Sequence, residues 1–212
     1  MKLFYDEAAE QIIKVCRLLY EKNFVAANDG NVSARLSDGS ILATPTCLNK
    51  GEVRKEDLVL LDADGNELSE GRHASSEIKM HLCVYKERPN VCGVVHSHAP
   101  AATAFSCAGK NFDCTPFSAA VMNFGRQVPL SDFAISGTEE VPESIKPHVP
   151  DNNAILLANH GLLTFAKDVF TAYQLTETFE NICETAVRLK TIGEAVPIPE
   201  RGITALENKF HK

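Results

Sequence analysis

The sequence predicts a single α/β domain, with a sheet covered by helices. Three observations carry that prediction. Short apolar runs of strand length are bounded by turn residues, longer stretches place apolar residues at helical period, and the two kinds alternate along the chain. The 212 residues, 44% of them hydrophobic, are enough for one well-buried core, so the whole of 1–212 is read as one domain.

Residues 6–22 place Ala9, Ile12, Ile13, Cys16, Leu19 and Tyr20 at helical spacing and predict a helix. After the polar loop Ala27-Asn28-Asp29-Gly30-Asn31, the runs 32–36 and 41–44 flank the turn Ser37-Asp38-Gly39-Ser40 and predict a β-hairpin. Leu58-Val59-Leu60-Leu61 reads as a strand ended by the turn 62–66. Ser75-Ser76-Glu77 opens a helix, with serine as N-cap and acid in the first turn, and Pro89 stops it after about Arg88. Val91–Val95 reads as a buried strand leading into His96, and a short helix begins at Pro100. Residues 109–150, rich in Pro and Gly, promise little regular structure. Ala154–Ala158 is a second buried strand, continuing through Leu162–Phe165, and Asp168 caps a long helix ending near Lys190. The tail, about 197–212, is read as loosely organised.

Composition narrows the function. A formal net charge of -7 argues against nucleic acid or an anionic membrane as partner. No apolar run approaches the length of a membrane span, and the early acidic residues Asp6 and Glu7 leave no signal-peptide core. The expectation is a cytoplasmic protein. The seven cysteines form no Cys-x-x-Cys pair and read as small buried hydrophobes rather than bridges or metal ligands.

The chemistry is carried by histidines. His96 and His98 stand two apart at a strand end, so their imidazoles point to one face, as two ligands of one metal must. His160 follows the other apolar run in Asn159-His160-Gly161. Three neutral imidazoles leave a divalent ion its full charge and an open position, and zinc is the default ion for such a set. His73, His81, His148 and His211 have no partner at ligand spacing and read as surface or helix-face residues, with His81 four residues after Glu77 as a structural contact. Glu77, aimed at the metal, would serve as a general base. Ser75 and Ser76 at a helix start, with the loops at Gly30-Asn31 and Thr44-Pro45-Thr46, offer hydroxyls and backbone N–H groups to an oxyanion.

In their order and spacing, Gly30-Asn31-Val32-Ser33-Ala34-Arg35, Ala43-Thr44-Pro45-Thr46, Ser75-Ser76-Glu77, His96-Ser97-His98 and Asn159-His160-Gly161 resemble the class II aldolase/adducin family, closest to its fuculose-phosphate aldolases. The resemblance implies a three-layer α/β fold with a central, mostly antiparallel sheet. It implies zinc on His96, His98 and His160, with Glu77 as acid/base. Gly30, Asn31, Thr46, Ser75 and Ser76 would hold a substrate phosphate. Where the family commonly has glycine after the threonine, this chain has Cys47, whose N–H still serves as a contact. The implied reaction is reversible cleavage of a ketose 1-phosphate to dihydroxyacetone phosphate and an aldehyde, in a homotetramer with the site near a subunit interface. The family's tyrosine proton donors have no counterpart here. The four tyrosines are Tyr5, Tyr20, Tyr85 and Tyr173, Phe117 takes the mid-chain position, and the tail has Phe210. A sugar-phosphate 4-epimerase, a dehydratase and a sugar-acid-phosphate decarboxylase use the same kind of site. A non-catalytic adducin-like interaction module lacks the metal histidines, and a cupin needs a glutamate where Ala99-Pro100-Ala101-Ala102-Thr103 stands.

Overall fold

Six strands form one antiparallel sheet in the order Val59–Leu61, Ile41–Ala43, Asn31–Arg35, Gly93–Ser97, Gly161–Ala166 and Ala154–Leu157. The computed structural model describes residues 4–210, so His211 lies outside the described residues. The chain runs α1 (Tyr5–Glu21), β1 (Asn31–Arg35), β2 (Ile41–Ala43), β3 (Val59–Leu61), α2 (Ile78–Glu87), β4 (Gly93–Ser97), α3 (Pro100–Ser106), β5 (Phe112–Asp113), α4 (Ser118–Phe124), β6 (Gln127–Val128), α5 (Glu140–Ile145), β7 (Ala154–Leu157), β8 (Gly161–Ala166), α6 (Val169–Leu189) and α7 (Glu200–Phe210). β5 and β6 pair as a separate two-stranded ribbon.

Alternation along the strands builds two cores, one on each sheet face. Val32, Ala34, Leu42, Val95, Ala154, Leu156 and Leu162 pack with α1, α3, α4 and α6. Ile41, Ala43, Val59, Leu61, Val94, Ile155, Leu157, Leu163 and Phe165 pack with α2 and α5. The result is a three-layer arrangement, with helices on both faces of the sheet, as expected. The predicted helices and the 32–44 hairpin are present. Asp168 caps α6 by accepting a bond from the Thr171 N–H at 2.6 Å.

Four expectations need correction. The second apolar run does not continue as one strand. β7 and β8 are two arms of a hairpin, with Leu157 opposite Gly161, and the chain reverses at Ala158-Asn159-His160. Asn159 sits at φ +57°, a conformation asparagine tolerates, and allows the reversal. The described part of the tail is helical: α7 buries Ile203, and Arg126 pairs with both Glu200 and Glu207. Only Ile203 and Leu206 mark its apolar stripe, too narrow a signal beside its many charges. The irregular middle holds α4, α5 and the β5–β6 ribbon. Each of these is seven residues or shorter and displays no full period. Finally, α2 begins at Ile78 rather than directly after the serines. Ser75 Oγ accepts from the Glu77 N–H at 3.3 Å, making the turn that leads into the helix.

On β1 the face toward α2 is polar: Asn31, Ser33 and Arg35 alternate with buried Val32 and Ala34. Ser33 Oγ is hydrogen-bonded to His81 Nδ1 at 2.7 Å and to the Tyr85 hydroxyl at 2.8 Å, and Arg35 donates to the Tyr85, Arg88, Pro89 and Val91 carbonyls. The strand period of two meets the helix period of four, so this ladder fixes α2 against β1. His81 is thus a structural contact, and it is fully buried rather than on a surface.

Burial alone lowers the His81 pKa to about 3. The unfolded chain therefore takes up a proton near pH 6.5 that the folded chain refuses. The contribution is intact above about pH 6.5 and is lost at about 1.4 kcal/mol per unit as pH falls toward the folded value. Urea midpoints between pH 7 and 4 should show this fall, and His81→Gln should flatten it. An unchanged slope in the variant would contradict the assignment.

Candidate active site

Strand β4 ends in His96 and Ser97, and His98 follows at once. The β7–β8 turn brings His160 to the same place, so all three ring centroids lie within 5.0 Å of one another. Gly161 makes this approach feasible, because a Cβ there would stand 2.5 Å from the Ser97 carbonyl and 3.0 Å from the His98 ring. One ligand atom from each histidine falls within 4.8 Å of the others.

The donor set fits a metal ion. His96 Nδ1 lies 3.0 Å from the Leu162 carbonyl, which accepts its proton and leaves Nε2 as a bare lone pair. That Nε2 faces His98 Nε2 at 3.2 Å, close to the about 3.4 Å separating two nitrogens on one tetrahedral zinc. With the His98 proton on Nδ1, the two lone pairs face each other as they do across a shared cation. On the far side of the His98 ring, Nδ1 stands 3.4 Å from the Asp29 carboxylate, which orients it. Burial, then the neighbouring imidazoles, hold the His96 pKa well below its usual value, and burial lowers that of His160. Both are therefore neutral at ordinary pH, as ligands must be.

Glu77 does not cap its helix. Its carboxylate turns to the triad, with Oε2 3.5 Å from His96 Nε2 and Oε1 3.3 Å from His160 Nε2. Asn31 Nδ2 donates to Oε2 at 2.8 Å and to Ser75 Oγ at 3.3 Å. One oxygen is thus pinned, while buried Oε1 accepts no hydrogen bond among the described residues. A carboxylate so placed can move a proton at an atom held by the triad.

The predicted anion contacts come together beside this point. Pro45 and Ala74 form a β-bridge, the Ser75 N–H donates to the Thr44 carbonyl at 3.3 Å, and Asn31 joins Ser75, so the three loops form one wall. The amides of Gly30, Cys47 and Ser76 donate no hydrogen bond among the described residues. Three free N–H groups with the Thr46, Ser75 and Ser76 hydroxyls are a donor set for an oxyanion. Gly30 is required by its φ of +70° and because a Cβ would come within 2.8 Å of the His96 carbonyl.

Cys47 sits at φ +55°, the left-handed region that glycine favours. The loop therefore retains a glycine-like backbone without glycine. Cys47→Gly should be tolerated with a melting temperature near the parent's. The β-branched Cys47→Val should cost about 1–2 kcal/mol, read as a lower urea midpoint. Equal midpoints for the two variants would refute the strain.

Sequence reasoning missed Asp29, the Leu162 carbonyl and Lys50. Asp29 borders the Gly30-Asn31 motif, which could have drawn attention to it. A backbone carbonyl leaves no trace in sequence, and Lys50 in a polar loop reads as solvated. The tyrosines stand elsewhere: Tyr85 in the β1–α2 ladder, Tyr173 buried on α6, and Tyr5 and Tyr20 on α1. Phe117 stacks on Phe112, their centroids 6.0 Å apart.

Comparison with known proteins gives the following likenesses. The model of the Class II Aldolase and Adducin N-terminal domain matches residues 10–187. An L-fuculose phosphate aldolase of Methanococcus maripaludis is 36% identical over 176 residues, 82% of this chain and 93% of the relative. A 3-oxo-tetronate 4-phosphate decarboxylase of Haemophilus influenzae is 32% identical, over 94% of this chain and 96% of its own. A solved L-fuculose 1-phosphate aldolase superposes with a TM-score of 0.89 at 27% identity, covering 97% of each chain.

Proposed function

The chain belongs to the class II aldolase and adducin family, and within that family of lyases we propose that it is a zinc-dependent aldolase of a ketose 1-phosphate such as L-fuculose 1-phosphate. The observation that carries this reading is the meeting of His96, His98 and His160 with the Glu77 carboxylate, beside three free amides. His96, His98 and His160 would hold the metal. When bound, that ion polarises a carbonyl oxygen and lowers the energy of the negative charge developing there. The Gly30, Cys47 and Ser76 amides, with the Asn31, Thr46, Ser75 and Ser76 side chains, would seat the phosphate and so fix the ketose. Glu77, steadied by Asn31, would return a proton to the carbon left with the electron pair after cleavage, and would take it away in condensation. No tyrosine of the same chain stands at the site, so water would take the proton from the hydroxyl that becomes the aldehyde in cleavage and return it to that oxygen in condensation.

A second reading is a decarboxylase of a 3-oxo sugar-acid phosphate. It needs the same electron sink and no group to take a hydroxyl proton as an aldehyde forms, which suits the missing tyrosines, and a relative of that name matches nearly the whole chain. A panel of ketose 1-phosphates and 3-oxo acid phosphates, assayed with and without chelator, separates the two. Release of an aldehyde together with dihydroxyacetone phosphate marks the aldolase, and carbon dioxide release without an aldehyde marks the decarboxylase. Chelator-insensitive turnover would refute both. The proposed working form is a cytoplasmic homotetramer, checked by light scattering. Among the described residues no helix is long and apolar enough to cross a membrane.

A further inference from the structure

Lys50 is 2% exposed and opens a short turn packed against α1. Its ammonium donates to the Asn28 carbonyl at 3.0 Å and the Leu48 carbonyl at 2.8 Å. Asn28 lies two residues before Gly30, and Leu48 directly follows Cys47. One buried cation therefore ties together two of the three loops whose free amides form the anion wall. Lys50 forms no salt bridge among the described residues, and only the longer-range charges of Cys16, Asp29, Cys47 and Glu77 favour its protonated form. A buried charge without a counter-ion is costly, and such lysines are ordinarily paired or neutralised. Here two carbonyl dipoles meet part of that cost, and one of the three N–H donors is left over. The structure thus holds a buried positive charge tied to two of the loops that carry free N–H groups. A dianion seated on the wall would add counter-charge.

We propose that Lys50 is the positioning residue of the phosphate cradle, holding the Gly30 and Cys47 loops in register and giving the cradle its positive charge through the Asn28 and Leu48 peptides. This rests on reading the wall as a phosphate site. Lys50 touches no reacting atom, so its effect belongs to binding of the phosphate and not to the chemical step. Burial pulls its pKa down, and a bound phosphate should raise it again, since binding and protonation are linked reciprocally.

The test uses the metal-loaded protein with inorganic phosphate as probe. Lys50→Met keeps the stem and removes the charge. Calorimetric affinity for phosphate should fall about 10- to 100-fold, with metal content unchanged. KM for the phosphorylated ketose should rise by a similar factor with little change in kcat, while turnover of the unphosphorylated ketose stays at the parent value. A folded variant that binds phosphate as the parent does would overturn the role of Lys50 alone. Equal losses on phosphorylated and unphosphorylated ketose would reduce it to a loop staple and overturn it too. A parent protein that turns over ketose but binds no phosphate would sink the phosphate reading together with this one. If Lys50→Met does not fold, the Lys50 ε-carbon is followed by NMR in the parent protein. Phosphate should move its titration to higher pH, and an unmoved titration would overturn the proposal.

Discussion

Glu77→Gln is expected to bind its metal normally and to lose turnover by about 100- to 10,000-fold. The amide oxygen can still accept from Asn31 Nδ2, as Oε2 does now at 2.8 Å, so the side chain should stay in place. The change removes the basic oxygen and leaves the size and position of the group alone. Because the carboxylate does not cap α2, the helix loses nothing. The loss should appear in kcat, with KM nearly constant, since proton transfer belongs to the transition state. Metal analysis alongside steady-state kinetics separates this from a broken site. A near-parental kcat in a metal-replete variant would remove Glu77 from the mechanism.

Cutting the triad at His160 should be as severe, and it is the cleanest ligand to cut. His96 is fully buried within the sheet, and its loss would open a cavity and confuse stability with binding. His160 stands at the tip of the β7–β8 hairpin with its ring partly exposed, and its backbone bond to the Leu157 carbonyl survives truncation. In His160→Ala, metal affinity should fall by more than about 100-fold, exceeding the loss typical of partners one shell further out. Two readouts check this. Activity should drop to the level of the chelated parent, and the rise in melting temperature that added zinc gives the parent should vanish. A variant that still gains stability and turnover from zinc would show that the triad is not the metal's seat.

Residue patterns made much of this legible. The Val32/Ala34 alternation, the 91–95 run and the helical stretches mark which segments are strands and helices, because burial of one face imposes its period on the residues. The two-residue spacing of His96 and His98 is likewise a local fact of strand geometry. Other features are not legible because their meaning is not local. Nothing in the sequence shows that Ser33 and Arg35 fix α2, that Asn31 hydrogen-bonds to Glu77, or that Lys50 is buried.

Residue type and short-range period are enough to mark α1, α2, α6, the 32–44 hairpin, the α/β class and the kind of chemistry the histidines can do. Where that chemistry meets is set by tertiary contacts. The hairpin turn carries His160 across to β4, the β1–α2 ladder aims Glu77, and Lys50 gathers two loops that lie twenty residues apart. The physical reason is that convergence depends on strand order and on the placing of buried polar groups. Both are set by contacts between distant segments, which no window of sequence contains.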